Sequence, residues 1–165
     1  MVGRLEPIAV FGFQEVFDQA MDLLTPSGFR VRLPSPAGYA ALKLKAWCDR
    51  SALREYKDAA DIATACSWYQ QNDDLRASLY DAGTDRMETL IEADMDVDIA
   101  LLNLLGKDIA DVIGDVRVSE LARSWALTDR DMLAVQFARE KSRTHPDRAT
   151  AHREITALTR FLASG

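Results

Sequence analysis

The densest run of chemically useful residues lies between Leu33 and Tyr69, reading LPSPAGYAALKLKAWCDR and then SALREYKDAADIATACSWY. On a helix, Lys43, Trp47 and Arg50 fall at i, i+4 and i+7, so Lys43 and Arg50 point the same way two turns apart. Asp58 and Asp61 fall at i and i+3 on the next predicted helix, directly after Lys57. Two cations on one helix facing two carboxylates on the next make a polar cluster between packed helices. Such a cluster is either an interhelical salt-bridge network or a place to hold a phosphate-bearing ligand. Spacing alone leaves both readings open.

Other chemistries find less support. Cys48 and Cys66 have neither a CxxC spacing nor a histidine at ligand distance in sequence, and read as reduced, half-buried or core thiols. His145 and His152 stand in polar, basic settings typical of surface histidine. Gly83-Thr84 followed by Asp94-Met95-Asp96 imitates a Gly-Ser…Asp-x-Asp metal pattern. Asp94–Asp98, however, runs straight into Ile99-Ala100-Leu101-Leu102, so these acids read as the cap and first-turn charges of a helix. An EF-hand loop fails too, because its sixth position is Ile99 and its twelfth Leu105, where Gly and Glu are needed. No metal ligand set is predicted, and no nucleophile-elbow, phosphate-loop or dinucleotide-binding fingerprint occurs.

The elements that must position the cluster follow from periodicity and punctuation. Leu5–Phe13 is a short apolar run with Pro7, an edge strand or a loop. Gln14–Leu24 reads as a helix on Val16, Phe17, Ala20, Leu23 and Leu24, stopped by Thr25-Pro26-Ser27-Gly28. Phe29–Leu33 alternates apolar and basic, which predicts a half-buried strand. Ser35 and Pro36 suit the cap and first position of a helix to about Asp49. A second helix is predicted from about Arg54 to Gln71, with Ala59, Ile62, Ala63, Cys66 and Tyr69 as its apolar stripe. A short helix to Tyr80, a turn near Glu88–Glu92, and helices at Val97–Leu105, Asp108–Ile113, Ser119–Trp125, Asp129–Arg143 and Asp147–Ala163 follow. Trp47, Trp68 and Trp125 all fall at apolar helical positions and are expected in the core. The expected fold is mostly α with one or two N-terminal strands (α+β).

Composition bounds the rest. The 165 residues carry 20 basic and 26 acidic side chains, a net charge of −6. With 48% hydrophobic and 28% charged residues the chain has the make-up of a globular protein that buries a real core. Disorder, a disulfide scaffold and an integral membrane protein are excluded, since no stretch approaches ~20 apolar residues. The N-terminus does not read as a signal peptide, and a cytoplasmic location is expected. Residues 29–57 hold seven basic side chains against two acids, whereas 58–120 hold fifteen acids against four bases. The basic strip is a solvated helix face or a phosphate-binding surface. The tail cations Arg139, Lys141, Arg143, Arg148, Arg153 and Arg160 read first as a solvated face and only weakly as an RNA contact.

The string LPSPAGYAALKLKAWCDR…YKDAADI resembles the C-terminal half of a family of bacterial nucleotidyltransferases in the DNA polymerase β-like superfamily, related to its abortive-infection toxins. Gly12-Phe13-Gln14-Glu15, Gly38–Leu44, Ala46-Trp47, Asp49-Arg50, Lys57-Asp58-Ala59, Asp61-Ile62 and Leu104–Ala110 carry the likeness, over residues 10–113. The resemblance implies the helical C-terminal portion of such a fold over residues 1–113, with 114–165 as a helical extension packed on it in a single compact unit. It implies nucleotide transfer from an NTP to an unknown acceptor, with Mg²⁺ as the metal. Lys43 and Asp58 would take the catalytic side. Lys43 would reach the triphosphate as a flexible point charge, supported by Asp58. Arg50 and Lys57 would join Lys43 in contacting phosphate, and Asp61 and Trp47 would support the geometry. Lys45, on the opposite helix face, is expected at the surface.

Nucleotidyl transfer needs carboxylates that hold metal ions against the attacking and leaving oxygens. In the family they lie N-terminal to the matched segment, and before Gly12 this chain offers one acid, Glu6. The expectation is therefore a truncated relative, inactive alone. The alternative is a non-enzymatic helical interaction module that binds a protein partner or a second copy of itself. A toxin–antitoxin pairing rests on family analogy only.

Overall fold

Most helices begin where a polar side chain caps them. Ser35 accepts a hydrogen bond from the Gly38 N–H (3.1 Å), Asn72 from Leu75 (3.0 Å), Asp96 from Ile99 (3.2 Å), Asp129 from Met132 (2.8 Å) and Asp147 from Thr150 (2.9 Å). Thr84 does the same for Met87 (3.4 Å). Each such cap satisfies one of the N–H groups that a helix leaves open at its start, which stabilises it by ~1 kcal/mol.

The computed structural model describes residues 10–139 and 147–163. In chain order these form α1 (Phe13–Asp18), β1 (Met21–Leu24), β2 (Arg30–Leu33), α2 (Pro36–Arg50), α3 (Asp58–Gln70) and α4 (Asp73–Ser78). Then come α5 (Asp85–Glu92), α6 (Val97–Trp125), α7 (Arg130–Ala138) and α8 (Arg148–Leu158). Single 3-10 turns occupy Ser51–Leu53 and Arg160–Ala163. The fold is mostly α with a two-stranded antiparallel sheet near the N-terminus, as expected.

The core is built where α2 and α8 pack on α6, α3 packs on α2, and α7 on α8. Trp47, Leu44, Ile62, Leu105, Ile109, Leu121, Leu133 and Phe137 are all fully buried in it. A smaller cluster of Leu79, Leu90 and Leu101 seals α5 against the start of α6. The predicted stripe of α3 (Ala59, Ile62, Ala63, Cys66, Tyr69) is buried throughout. No helix among the described residues is long and apolar enough to cross a membrane.

Four readings of the sequence need correction. The helix expected over Gln14–Leu24 ends at Asp18, and Met21–Leu24 is instead strand β1. The Thr25–Gly28 segment closes a hairpin: the Gly28 N–H donates to the Thr25 carbonyl, the Thr25 N–H to the Phe29 carbonyl, and Gly28 takes φ +85°. A paired strand satisfies backbone groups that a helix running into Thr25-Pro26 would leave open. The strand at Arg30–Leu33 is present but not half-buried. Its pairing puts Met21, Leu23, Val31 and Leu33 on one face, and they remain 40–58% exposed. Alternation created an apolar face, but no described element covers it.

Two further corrections concern α6 and Trp68. One helix runs through Gly106, and the break falls at Gly114 (φ 73°, ψ 165°), so Ser119 is mid-helix and not a cap. Trp68 is 47% exposed, lying on Tyr39 at the surface and not in the core. The apolar run Leu5–Phe13 lies, through residue 9, outside the described residues; Val10–Gly12 lead into α1.

Candidate functional site at the α2–α3 seam

α2 and α3 lie side by side, and their facing polar residues meet. Lys43 Nζ is 2.6 Å from Asp61 Oδ2 and 3.6 Å from Asp58 Oδ1. Arg50 donates from one terminal nitrogen to both oxygens of Asp58, each at 3.2 Å. The predicted cluster is therefore present, with each cation opposite a carboxylate. Asp58 is fully buried at the first position of α3, where the helix dipole also favours a negative charge. Asp61, one turn further on, is partly exposed.

The electrostatics follow this geometry. The hydrogen bond to Asp61 raises the pKa of Lys43, against the opposing pull of burial. Burial alone would push the Asp61 carboxyl up, but hydrogen bonds from Lys43 and Tyr39, with the Lys43 charge, outweigh it. The carboxyl is held below its ordinary value of 3.8. Tyr39 sits one turn before Lys43. Its hydroxyl is driven up first by burial and then by bonding to Asp61. The Lys43 ammonium lies 5.4 Å from the Tyr39 ring centre, a cation–π approach, and Trp68 packs on that ring at 5.5 Å.

The other residues singled out from the sequence take different places. Trp47 is fully buried beneath the seam, against Tyr56 at 5.8 Å, and its indole N–H has no hydrogen-bond partner among the described residues. Its part is to set the floor on which Lys43 and Arg50 stand. Lys57 is exposed, just before Asp58, and its charge helps lower the Asp61 pKa. Lys45 is half-buried, paired with Asp49 and lying 5.8 Å over the Phe11 ring.

The basic strip of residues 29–57 proves to be largely neutralised. Arg30 and Arg32 pair with Asp22 across the hairpin, at 3.6 and 3.5 Å. In the tail, Arg148 pairs with Asp131, Arg153 with Asp96 and Arg160 with Glu92. Lys141, Arg143 and His145 lie outside the described residues, and His152 faces Asp131 at 3.2 Å. Tyr39 and Trp68 were missed as members of the site. For Tyr39 the i, i+4 spacing to Lys43 was the available signal; Trp68 joins through the Tyr39 ring, a contact between helices that spacing does not show.

Mg²⁺ does not fit the residues present. Among the described residues no group of three or more His, Cys, Asp or Glu side chains stands where it could share a metal ion. Asp58 and Asp61 are taken by Lys43 and Arg50. Asp96 caps α6 and holds Arg153, and Asp98 holds Arg76 at 2.8 Å. No family model matches the chain, and no match was found among curated proteins or solved structures.

Proposed function

We propose that this chain is the helical part of a nucleotidyltransferase-like fold and that the α2–α3 seam presents Lys43 to the phosphates of an NTP. The observation that supports this reading is the position of Lys43. It is the cation that reaches both carboxylates of the seam, yet its side chain is 27% exposed and its ammonium sits between Asp61 and the Tyr39 ring. An ammonium is a compact charge on a flexible stem, so it can turn from Asp61 to a phosphate oxygen without moving the helix. Arg50 holds Asp58 in place, and Asp58 and Asp61 keep Lys43 protonated and directed outward. Lys57, exposed at the start of α3, adds charge at the rim. The role proposed for the seam is nucleotide binding.

The test is calorimetric titration of the full chain with ATP, GTP, CTP and UTP in the presence of Mg²⁺. At least one binds, and Lys43→Ala removes the binding while thermal unfolding stays cooperative. If none of the four binds, the nucleotide reading fails.

A second reading rests on a different observation. The apolar face of Met21, Leu23, Val31 and Leu33, with Phe29 (71% exposed) beside it, is the kind of surface that mediates protein association. In that reading the chain is a helical interaction module and the seam is only a strut. Lys43→Ala then leaves association intact, whereas Val31→Asp abolishes it in analytical ultracentrifugation or partner capture.

A further inference from the structure

A second polar feature lies away from the α2–α3 seam, where α5, α6 and α8 converge with the 3-10 turn Arg160–Ala163. Two adjoining clefts, of about 440 and 300 Å³, share Glu92, Asn103 and Arg160. These volumes are within the range of small-molecule sites. The larger cleft is also lined by Arg153 and Thr156, the smaller by Lys107 and Phe161.

Asn103 stands where the clefts meet. It is only 7% exposed, and its Oδ1 has no hydrogen-bond partner among the described residues. A buried amide oxygen left without a donor is costly, and buried polar groups in folded proteins are nearly always satisfied. Lys107, one turn on along the same face of α6, donates to the neutral Thr89 hydroxyl at 2.7 Å. The guanidinium groups nearby are matched by carboxylates, Arg160 by Glu92 and Arg153 by Asp96. In the smaller cleft, Lys107 and Arg160 stand against one carboxylate, Glu92.

Beside these residues α6 and the end of α8 approach closely. A Cβ at Gly106 would lie 2.5 Å from the Leu158 carbonyl oxygen, so glycine there lets α6 touch the end of α8. That close approach places Asn103 and Lys107, on either side of Gly106, against the Arg160–Ala163 turn.

We infer that this cleft binds a small phosphorylated hydroxy compound, its phosphate on Lys107 and Arg160 and one of its hydroxyls donating to the buried Asn103 oxygen. The ligand supplies the two things the cleft lacks: negative charge opposite Lys107 and a donor for Asn103. The larger cleft, with Thr156 and Arg153 on its wall, takes the remainder of the molecule. This inference is independent of the nucleotide reading, because it uses none of the α2–α3 residues.

The test uses ¹⁵N–¹H NMR titration of the full chain with ribose 5-phosphate, and with inorganic phosphate and ribose separately. Ribose 5-phosphate shifts the amides of residues 103, 107 and 160 and binds at least about tenfold tighter than either part alone. Asn103→Leu and Lys107→Met each weaken it about tenfold or more, whereas Lys43→Ala leaves it unchanged. Lys107 is exposed, so Lys107→Met reports on binding even if Asn103→Leu fails to fold. Asn103→Leu also raises the melting temperature by roughly 2–4 °C, because it removes a buried group without a partner. Absence of shifts at these residues at millimolar ligand overturns the inference. So does binding that survives both variants, or that is lost with Lys43→Ala.

Discussion

At the α2–α3 seam Lys43, Arg50, Asp58 and Asp61 are matched charge against charge, whereas beside α6 a buried amide oxygen has no hydrogen-bond partner among the described residues. The seam holds a fully buried carboxylate, Asp58, and uses two of the three cations of α2, Lys43 and Arg50, to hold it and its neighbour Asp61. The cleft buries Asn103 and leaves its oxygen open. The first arrangement is self-sufficient: its polar groups contribute to stability with or without a ligand. The second is complete only when something else enters. A seam of matched charges is therefore expected to show large stability effects on mutation, and the cleft is expected to show stability and binding moving in opposite directions.

The largest expected effect breaks the seam. Arg50→Met leaves Asp58 buried with only Lys43 at 3.6 Å, and is expected to destabilise the chain by roughly 2–3 kcal/mol in urea unfolding. A cost near zero would mean water already reaches Asp58. Next, Asn103→Leu is expected to change stability with the opposite sign, by about 1 kcal/mol of stabilisation, in the same assay. Destabilisation there would mean the amide is satisfied, and the contrast between the two regions would disappear.

A smaller effect sharpens the account of Lys43. A double-mutant cycle of Lys43→Met and Asp61→Leu is expected to give a coupling of about 0.5–1 kcal/mol, since both side chains are partly exposed and the pair is screened. The smallest effect concerns pH. The folded Asp61 carboxyl titrates below its ordinary 3.8, so the stability from its pairing is present above that value and is lost as pH falls through the lowered one. Carboxyl NMR titration is expected to place the Asp61 midpoint below 3.8, and Lys43→Met to move it upward.

The seam was legible in the sequence because helical geometry is regular. Once Ser35-Pro36 fixed the start of α2, the positions of Lys43, Trp47 and Arg50 followed, and Asp58 and Asp61 had to face them. The same regularity misled at Gln14–Leu24. Val16, Phe17, Ala20, Leu23 and Leu24 fit a helix, but the pairing of Met21–Leu24 with Arg30–Leu33 depends on a turn that periodicity does not weigh. Trp68 fits a core position by spacing and sits at the surface, because the neighbouring Tyr39 side chain takes its ring. The Asn103 cleft was not legible at all. It forms where α8 and the Arg160–Ala163 turn, distant in sequence, meet α5 and α6, and Asn103 stands among leucines that read only as core.

The most direct measurement is a residue-resolved ¹⁵N–¹H NMR titration of the full chain with each of the four NTPs and Mg²⁺. The account predicts shifts at Lys43, Arg50, Lys57 and Asp61 with at least one nucleotide, abolished by Lys43→Ala. Spectra in which the α2–α3 seam stays unchanged with all four nucleotides would contradict it, and would leave Lys43, Arg50, Asp58 and Asp61 as a strut that joins two helices.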